Sequence, residues 1–431
     1  MSGRSVLADP PPSHGAARPG KTSGAGGFLL VVMLVLALVA AGCSRDENLK
    51  PPRAPADDAG QRGEAAQHTL DRLVRALQQR SAASVGELAA PGAGALLASV
   101  AANARSLDVR ELSLRYIDDG APLTSTQRSE FGSSAWTGTV ELEYAFGGVD
   151  TTPSRIETAM VFAPHGSGAR IASFGGADER TPLWLADRLS VVRQGSTLVA
   201  VATGSAGRYP RLAARAVVQV RRTLPDWHGD LVVEVPRTRA ELDAALDAAP
   251  DEYDDIAAVT TTEDGSLATG APVRVFVNPE VFGRLADRGA QVVMSHEATH
   301  VATGATFVSM PTWLLEGFAD YVALDHAGVP VSLAAGQILA RIRKHGLPNR
   351  LPTSSDLNPT ANGLGATYEE AWLACRFLAQ AYGQPQLIAF YRAVSGGSPE
   401  KRAFRRVLGT TESAFVGRWR ADLARLAGVA G

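Results

Sequence analysis

His296-Glu297-Ala298-Thr299-His300, with Trp313-Leu314-Leu315-Glu316-Gly317-Phe318-Ala319-Asp320-Tyr321 a short way downstream, decides how this chain is read. On a helix, residues four apart share one face and lie one turn, about 5.4 Å, apart. His296 and His300 can therefore aim two imidazoles at one point while Glu297 stands beside them. With only 8 histidines in 431 residues, this spacing arises by accident on the order of 1% of the time.

Two histidines leave a catalytic zinc site incomplete, because such a site takes three protein ligands and keeps a fourth position for water. The spacing that would supply a third histidine from the same segment fails here, since Thr303 and Thr306 stand where a glycine and a histidine would be needed. A Glu from a second helix is another way to complete such a site, and Glu316 is the candidate for it. It sits in an apolar-rich segment that starts after Pro311 and stops at Gly328, which predicts a second helix. Asp320 lies one turn beyond it on the same face, placed to accept the second N–H of a ligating histidine and fix its tautomer. Gly317 costs that helix about 1 kcal/mol relative to Ala, an expense that a close approach to the His296 helix would offset. His326 and His345 compete as ligands, but the first falls near a helix end, where a histidine complements the dipole, and the second follows Arg341, Arg343 and Lys344 on a solvated basic face.

At these residues the chain resembles the gluzincin metallopeptidases, in the peptidase MA-like group that contains the aminopeptidase N and thermolysin families. Glu316 to Tyr321 matches the Glu-Gly-Phe-Ala-x-Tyr stretch around the third ligand in the aminopeptidases, and Asp320 matches the Asp that thermolysin-like enzymes place four residues after that Glu. The resemblance runs from about Val273 to Gly383. It implies one zinc ion on His296, His300 and Glu316, with Glu297 as general base. The chain has no Gly-Ala-Met-Glu-Asn-like segment of the kind that grips a free substrate amine, and its gap from His300 to Glu316 is shorter than the usual aminopeptidase spacing. Tyr368-Glu369-Glu370 resembles the element whose tyrosine stabilises the oxyanion in that family. Thr367 as N-cap with Glu370 three residues on would form a capping box and put Tyr368 in the first helical turn; the alternative is a tyrosine that merely packs there.

Composition bounds the rest. The chain is 45% hydrophobic with 42 Lys+Arg against 44 Asp+Glu, a net charge of -2. That is enough apolar sequence for two or three cores and no broad basic footprint for nucleic acid. Near the N-terminus Arg18 and Lys21 precede an apolar run from Phe28 to Ala41. This run is short of the roughly 20 residues of a spanning helix and suits the core of an export signal. It resembles a bacterial lipoprotein signal, with Ala40-Ala41-Gly42-Cys43 as the lipobox and Cys43 as the lipidated residue; an uncleaved anchor is the alternative. Either would put the protein at the cell membrane with its bulk on the extracytoplasmic face. Cys375, the other cysteine, falls in an apolar helical pattern and reads as a buried small hydrophobe.

The expected organisation is a signal over 1–42, a flexible Pro/Asp/Gly-rich tether over 43–63, an accessory domain over 64–195 and a metallopeptidase-like domain over 196–431. In the accessory domain Leu70, Leu73, Val74 and Leu77 recur at helical spacing, Val140 to Phe146 alternate, and Ile156–Phe162 and Ala169–Phe174 read as further strands. This α+β pattern is NTF2-like by analogy, with Trp136 and Trp184 in its core. From Ser196 strands over 197–202, 230–235, 256–262 and 273–277 alternate with helices over 209–223 and 239–248, then lead into the His296 helix. The order predicts a zincin-like α+β domain: a small mixed sheet, the H-E-x-x-H helix, and a helical C-terminal subdomain around Glu316, Tyr368, Leu387, Phe404 and Phe415. Val273–Val277 is either the cleft-edge strand that pairs with extended substrate or an ordinary inner strand.

These expectations describe a lipid-anchored zinc peptidase acting on peptides or proteins outside the cytoplasm. The rival is a catalytically silent envelope scaffold or binding protein that keeps the zinc site. Cleavage of a non-peptide amide in the cell wall ranks third.

Overall fold

The computed structural model describes residues 4–5 and 58–430, apart from 177–178, 203–204, 250–251, 326 and 359–361. The apolar run, Cys43, the tether up to residue 57 and His326 lie outside the described residues. No helix among the described residues is long and apolar enough to cross a membrane.

The accessory region begins earlier than expected. α1 (Asp58–Gln78) takes in residues 58–63, assigned above to the tether. Asp58 favours the positive helix end, and Arg62 anchors the turn by donating to the Asp58 carbonyl at 3.3 Å and pairing with Asp119 at 2.9 Å. After α2 (Ala82–Gly86) and α3 (Gly94–Ser106) come β2 (Val109–Asp119), α4 (Ser125–Phe131), β3 (Trp136–Phe146), β4 (Ser154–His165) and β5 (Gly168–Phe174). The four strands form an antiparallel sheet in the order β2-β3-β4-β5, with α1 packed on it. β3 shows the alternation read from its sequence, whereas β2 is not legible that way. Register shifts between Arg110 and Ser113 and between Tyr116 and Asp118 break its two-residue period. Trp136 and Trp184 are core residues, Trp184 within the short α5 (Leu183–Ala186).

A second, mixed sheet follows the order β1-β9-β10-β8-β7-β6, built from β1 (Arg4–Ser5), β6 (Ser190–Gln194), β7 (Thr197–Val201), β8 (Leu231–Val235), β9 (Ile256–Thr262) and β10 (Val273–Val277). β6 pairs antiparallel with β7, so this sheet starts before Ser196. β10 lies between β8 and β9 and is the inner strand of the two alternatives; β9 is next to the edge, with only the two residues of β1 outside it.

The two faces of this sheet carry different partners. Val199, Val201, Val233, Val235, Val275 and Val277 point to one side, into the core shared with α6 (Tyr209–Thr223), α9 (Asp287–Thr303) and the C-terminal helices. Leu198, Ala200 and Val232 point to the other and join the accessory-region core, while Val259 and Phe276 pack under α7 (Arg239–Leu246). The C-terminal subdomain is helical, as expected. α8 (Pro279–Phe282) precedes α9, and α10 (Thr312–Asp325), α11 (Val331–Ala334), α12 (Gly336–His345), α13 (Leu364–Tyr382), α14 (Gln384–Ser395), α15 (Glu400–Leu408) and α16 (Glu412–Ala427) follow it.

Candidate metal centre

α9 is walled in on every side. All residues from Val293 to His300 are buried between the sheet, α6 and α10. Gly304 ends the helix in the left-handed region (φ 61°), its N–H returning to the His300 and Val301 carbonyls; glycine adopts this conformation without the strain a Cβ adds. A single 3-10 turn at Ala305–Phe307 then reverses the chain into α10, which brings Glu316 back over the two histidines.

Three ligand atoms converge there. His300 Nε2 lies 2.9 Å from His296 Nε2, and Glu316 Oε2 lies 3.2 Å from His296 Nε2 and 3.6 Å from His300 Nε2. Ligands held about 2.0–2.1 Å from a tetrahedral zinc ion stand roughly 3.3 Å from one another, so the spacing of this trio fits that ion. Asp320 Oδ1 meets His296 Nδ1 at 2.8 Å, which directs Nε2 at the centre. No other such group of ligands occurs among the described residues. His345 is exposed at the end of α12.

The electrostatics point the same way. Burial disfavours a charged His296, yet Asp320 and Glu316 outweigh it and hold its proton affinity well above the ordinary imidazole value. Burial likewise pushes Glu316 up, but His300 and His296 prevail and hold its carboxyl at about 2. Two carboxylates around two imidazoles thus demand positive charge, from a proton or a metal ion.

Glu297 is fully buried beside the trio. Its Oε2 accepts a 2.6 Å hydrogen bond from Thr260 Oγ1 on β9, while Oε1 has no hydrogen-bond partner among the described residues. Burial raises its carboxyl above the usual range, against the pull of His296 and His300. Sequence reasoning missed Thr260. The available signal was its place in Ile256–Thr262, where Thr260 and Thr262 put hydroxyls on the inward face of an otherwise apolar strand.

Two local expectations are corrected. Gly317 faces α13, not α9: a Cβ there would sit 2.4 Å from the Ala371 carbonyl oxygen, so glycine lets α10 and α13 pack at backbone contact. The Thr367/Glu370 capping box does not form. α13 starts at Leu364 after Gly363, which has φ 73°, and this puts Thr367 and Tyr368 inside the helix. Arg341 claims both cap residues, donating to Thr367 Oγ1 at 3.2 Å and pairing with Glu370. Tyr368 is half-buried in the second turn rather than the first. Another tyrosine, Tyr391 on α14, is buried against Phe318 with ring centroids 4.4 Å apart. Burial pushes its phenol up, Thr303 opposes this, and the Glu316 carboxylate adds to it.

Neither a protein-family signature nor a curated protein matches the sequence. Among solved structures the chain is similar to an M1 zinc metallopeptidase from Deinococcus radiodurans. A mutant of that enzyme bound to a Tyr-Ser-Ala substrate shares 16% identity at a TM-score of 0.30, over 67% of this chain and 61% of that one. A mutant described as a two-domain M1 zinc metallopeptidase, bound to L-tryptophan, gives 17% at 0.31, over 66% and 61%. The chain thus spans about 61% of the length of the solved chains it matches, and the chemistry of the site rests on its own geometry.

Proposed function

We propose that this protein is a zinc-dependent hydrolase of peptide bonds. The observation that carries the reading is the convergence of His296 Nε2, His300 Nε2 and Glu316 Oε2 beside a buried Glu297 with one carboxylate oxygen tied to Thr260 and the other without a partner. When bound, the ion supplies Lewis acidity to a water molecule and to the scissile carbonyl. Glu297 Oε1 takes the proton of the attacking water and hands it to the leaving amine, while Thr260 keeps Oε2 fixed. Asp320 holds the His296 ring in its ligating tautomer. Tyr368 donates to the oxyanion, a role supported by its place in the Tyr-Glu-Glu element alone. Lipidation at Cys43 and action at the extracytoplasmic face of the cell membrane complete the proposal, on the strength of the N-terminal sequence.

Replacing Glu297 by Gln leaves zinc stoichiometry, read by elemental analysis, unchanged and abolishes chelator-sensitive cleavage of an unfolded protein such as casein. Full activity in that variant ends the general-base assignment. A second reading, the silent envelope scaffold, is favoured by one observation: the three ligand residues are only 1–2% exposed, so substrate needs an opening motion to reach them. Absence of chelator-sensitive cleavage across a panel of unfolded proteins and peptides selects the scaffold.

A further inference from the structure

A basic groove of about 680 Å³ runs between the Asn349–Arg350 segment, α15 and α16. Arg350, Lys401, Arg405 and Arg420 line it against a single carboxylate, Glu412, with Val416 and Gly417 among its lining residues. Arg350 is balanced by Asp356, at 2.5 and 3.2 Å. Lys401, Arg405 and Arg420 are exposed. In a chain of net charge -2 this is a concentrated positive field in a concave surface.

We infer that this groove binds an acidic, extended polypeptide segment, as a docking site for substrate. Three observations fit that partner. Lys401 and Arg405 stand four residues apart on one face of α15, about 6 Å along its axis, close to the spacing of alternate side chains on an extended chain, roughly 6.6–6.8 Å. The cations come from three elements and face inward, which suits a strand of carboxylates rather than a flat lipid surface, and no aromatic ring lines the groove for base stacking. At Asn349 and Arg350 the groove continues into a smaller cavity of about 180 Å³ lined by Arg341, Thr367 and Glu370. The last two bracket Tyr368 and Glu369 on α13, so the trough leads toward the Tyr368 segment. The inference rests on the peptidase reading for its purpose, but binding is measured without turnover.

The test uses fluorescence anisotropy of a labelled heptaglutamate peptide on the full chain. At low ionic strength the peptide binds, a heptaglutamine peptide does not, and added salt weakens the complex. Lys401→Glu with Arg405→Glu cuts affinity at least tenfold, and the milder Lys401→Gln with Arg405→Gln, which preserves the helix, gives a smaller loss in the same direction. Arg402→Glu with Arg406→Glu, the same charge change on the same helix outside the groove, costs less than threefold. Equal loss in both reversal pairs, no binding at all, or displacement of the peptide by phosphatidylglycerol vesicles that bind through Lys401 and Arg405 overturns the proposal. In casein assays the groove variant raises KM for acidic substrates and leaves kcat unchanged. Peptide binding without cleavage removes the hydrolase reading and keeps the groove, whereas cleavage without peptide binding does the reverse.

Discussion

Two buried charged clusters lie on opposite faces of the six-stranded sheet, and they solve the same electrostatic problem differently. On the accessory-region side, Arg274 from β10 is 1% exposed and takes Asp150 in a two-point ion pair at 2.8 and 2.6 Å, with Glu234 and Glu263 each 3.4 Å from its Nε. Phe146 lies under the guanidinium at 4.8 Å, and Tyr144 donates to Glu263. On the α9 side, His296, His300, Glu316 and Asp320 converge with no arginine or lysine among them. The first cluster carries its cation covalently; the second has to recruit one. That contrast separates a structural joint between two regions from a group of ligand atoms with no fixed cation of its own, where a proton or a metal ion has to balance the carboxylates, because a buried carboxylate without a compensating charge is strongly disfavoured.

Breaking the joint has the largest expected effect. Arg274→Ala strands three buried carboxylates and lowers stability by about 3–5 kcal/mol, read from the denaturant midpoint; a loss under 1 kcal/mol would mean that the joint holds nothing together. The α9 cluster is conditional by contrast. Free zinc at a hundred times its Kd stabilises the fold by about 2.7 kcal/mol over the chelated protein, Arg274→Ala leaves that increment intact, and Glu316→Ala removes it. Thermal melts with and without chelator measure both.

Thr260→Val sharpens the comparison within β9, the strand both clusters touch. It removes the donor to Glu297 and costs about 1–3 kcal/mol of stability and roughly 10–100-fold in activity, with zinc content unchanged. The smallest effect concerns pH. Burial raises Glu370 to about 7 despite Arg341, and raises Glu234 and Glu263 as well. Their folded-state values lie above the unfolded 4.5, so the folded protein binds the extra protons. The stability they contribute is full below about pH 4.5 and is lost as pH rises, for Glu370 by about pH 7. Glu370→Gln flattens that decline by an amount on the order of 1 kcal/mol, measured as melting temperature between pH 4.5 and 8; an unchanged slope would assign the decline to the other buried carboxyls whose values are raised, Glu234, Glu263 and Glu297 among them.

Much of the metal-site half was legible. β9, β10 and α6 fall at the bounds read from the sequence, His296 and His300 share one helix face and Glu316 and Asp320 another as their spacing implied, and the two pairs meet as the resemblance led one to expect. The start of α13 was misread because Thr367 and Glu370 match a capping pattern that Arg341, remote in sequence, overrides. Gly317 was read correctly as a contact point but given the wrong neighbour. β2 was invisible because its bulges scramble the period that marks a strand.

The sequence by itself determined which side chains share a helix face, since that follows from a turn of 3.6 residues and needs no partner. Only the tertiary structure decided what each face meets: Thr260 reaching Glu297 across 37 residues, Asp150 reaching Arg274 across 124, and Gly317 seated on Ala371. The physical reason is range. Helical period is set by backbone geometry within a turn, whereas pairing across a sheet or between helices is selected by the packing of the whole chain, which no local pattern encodes.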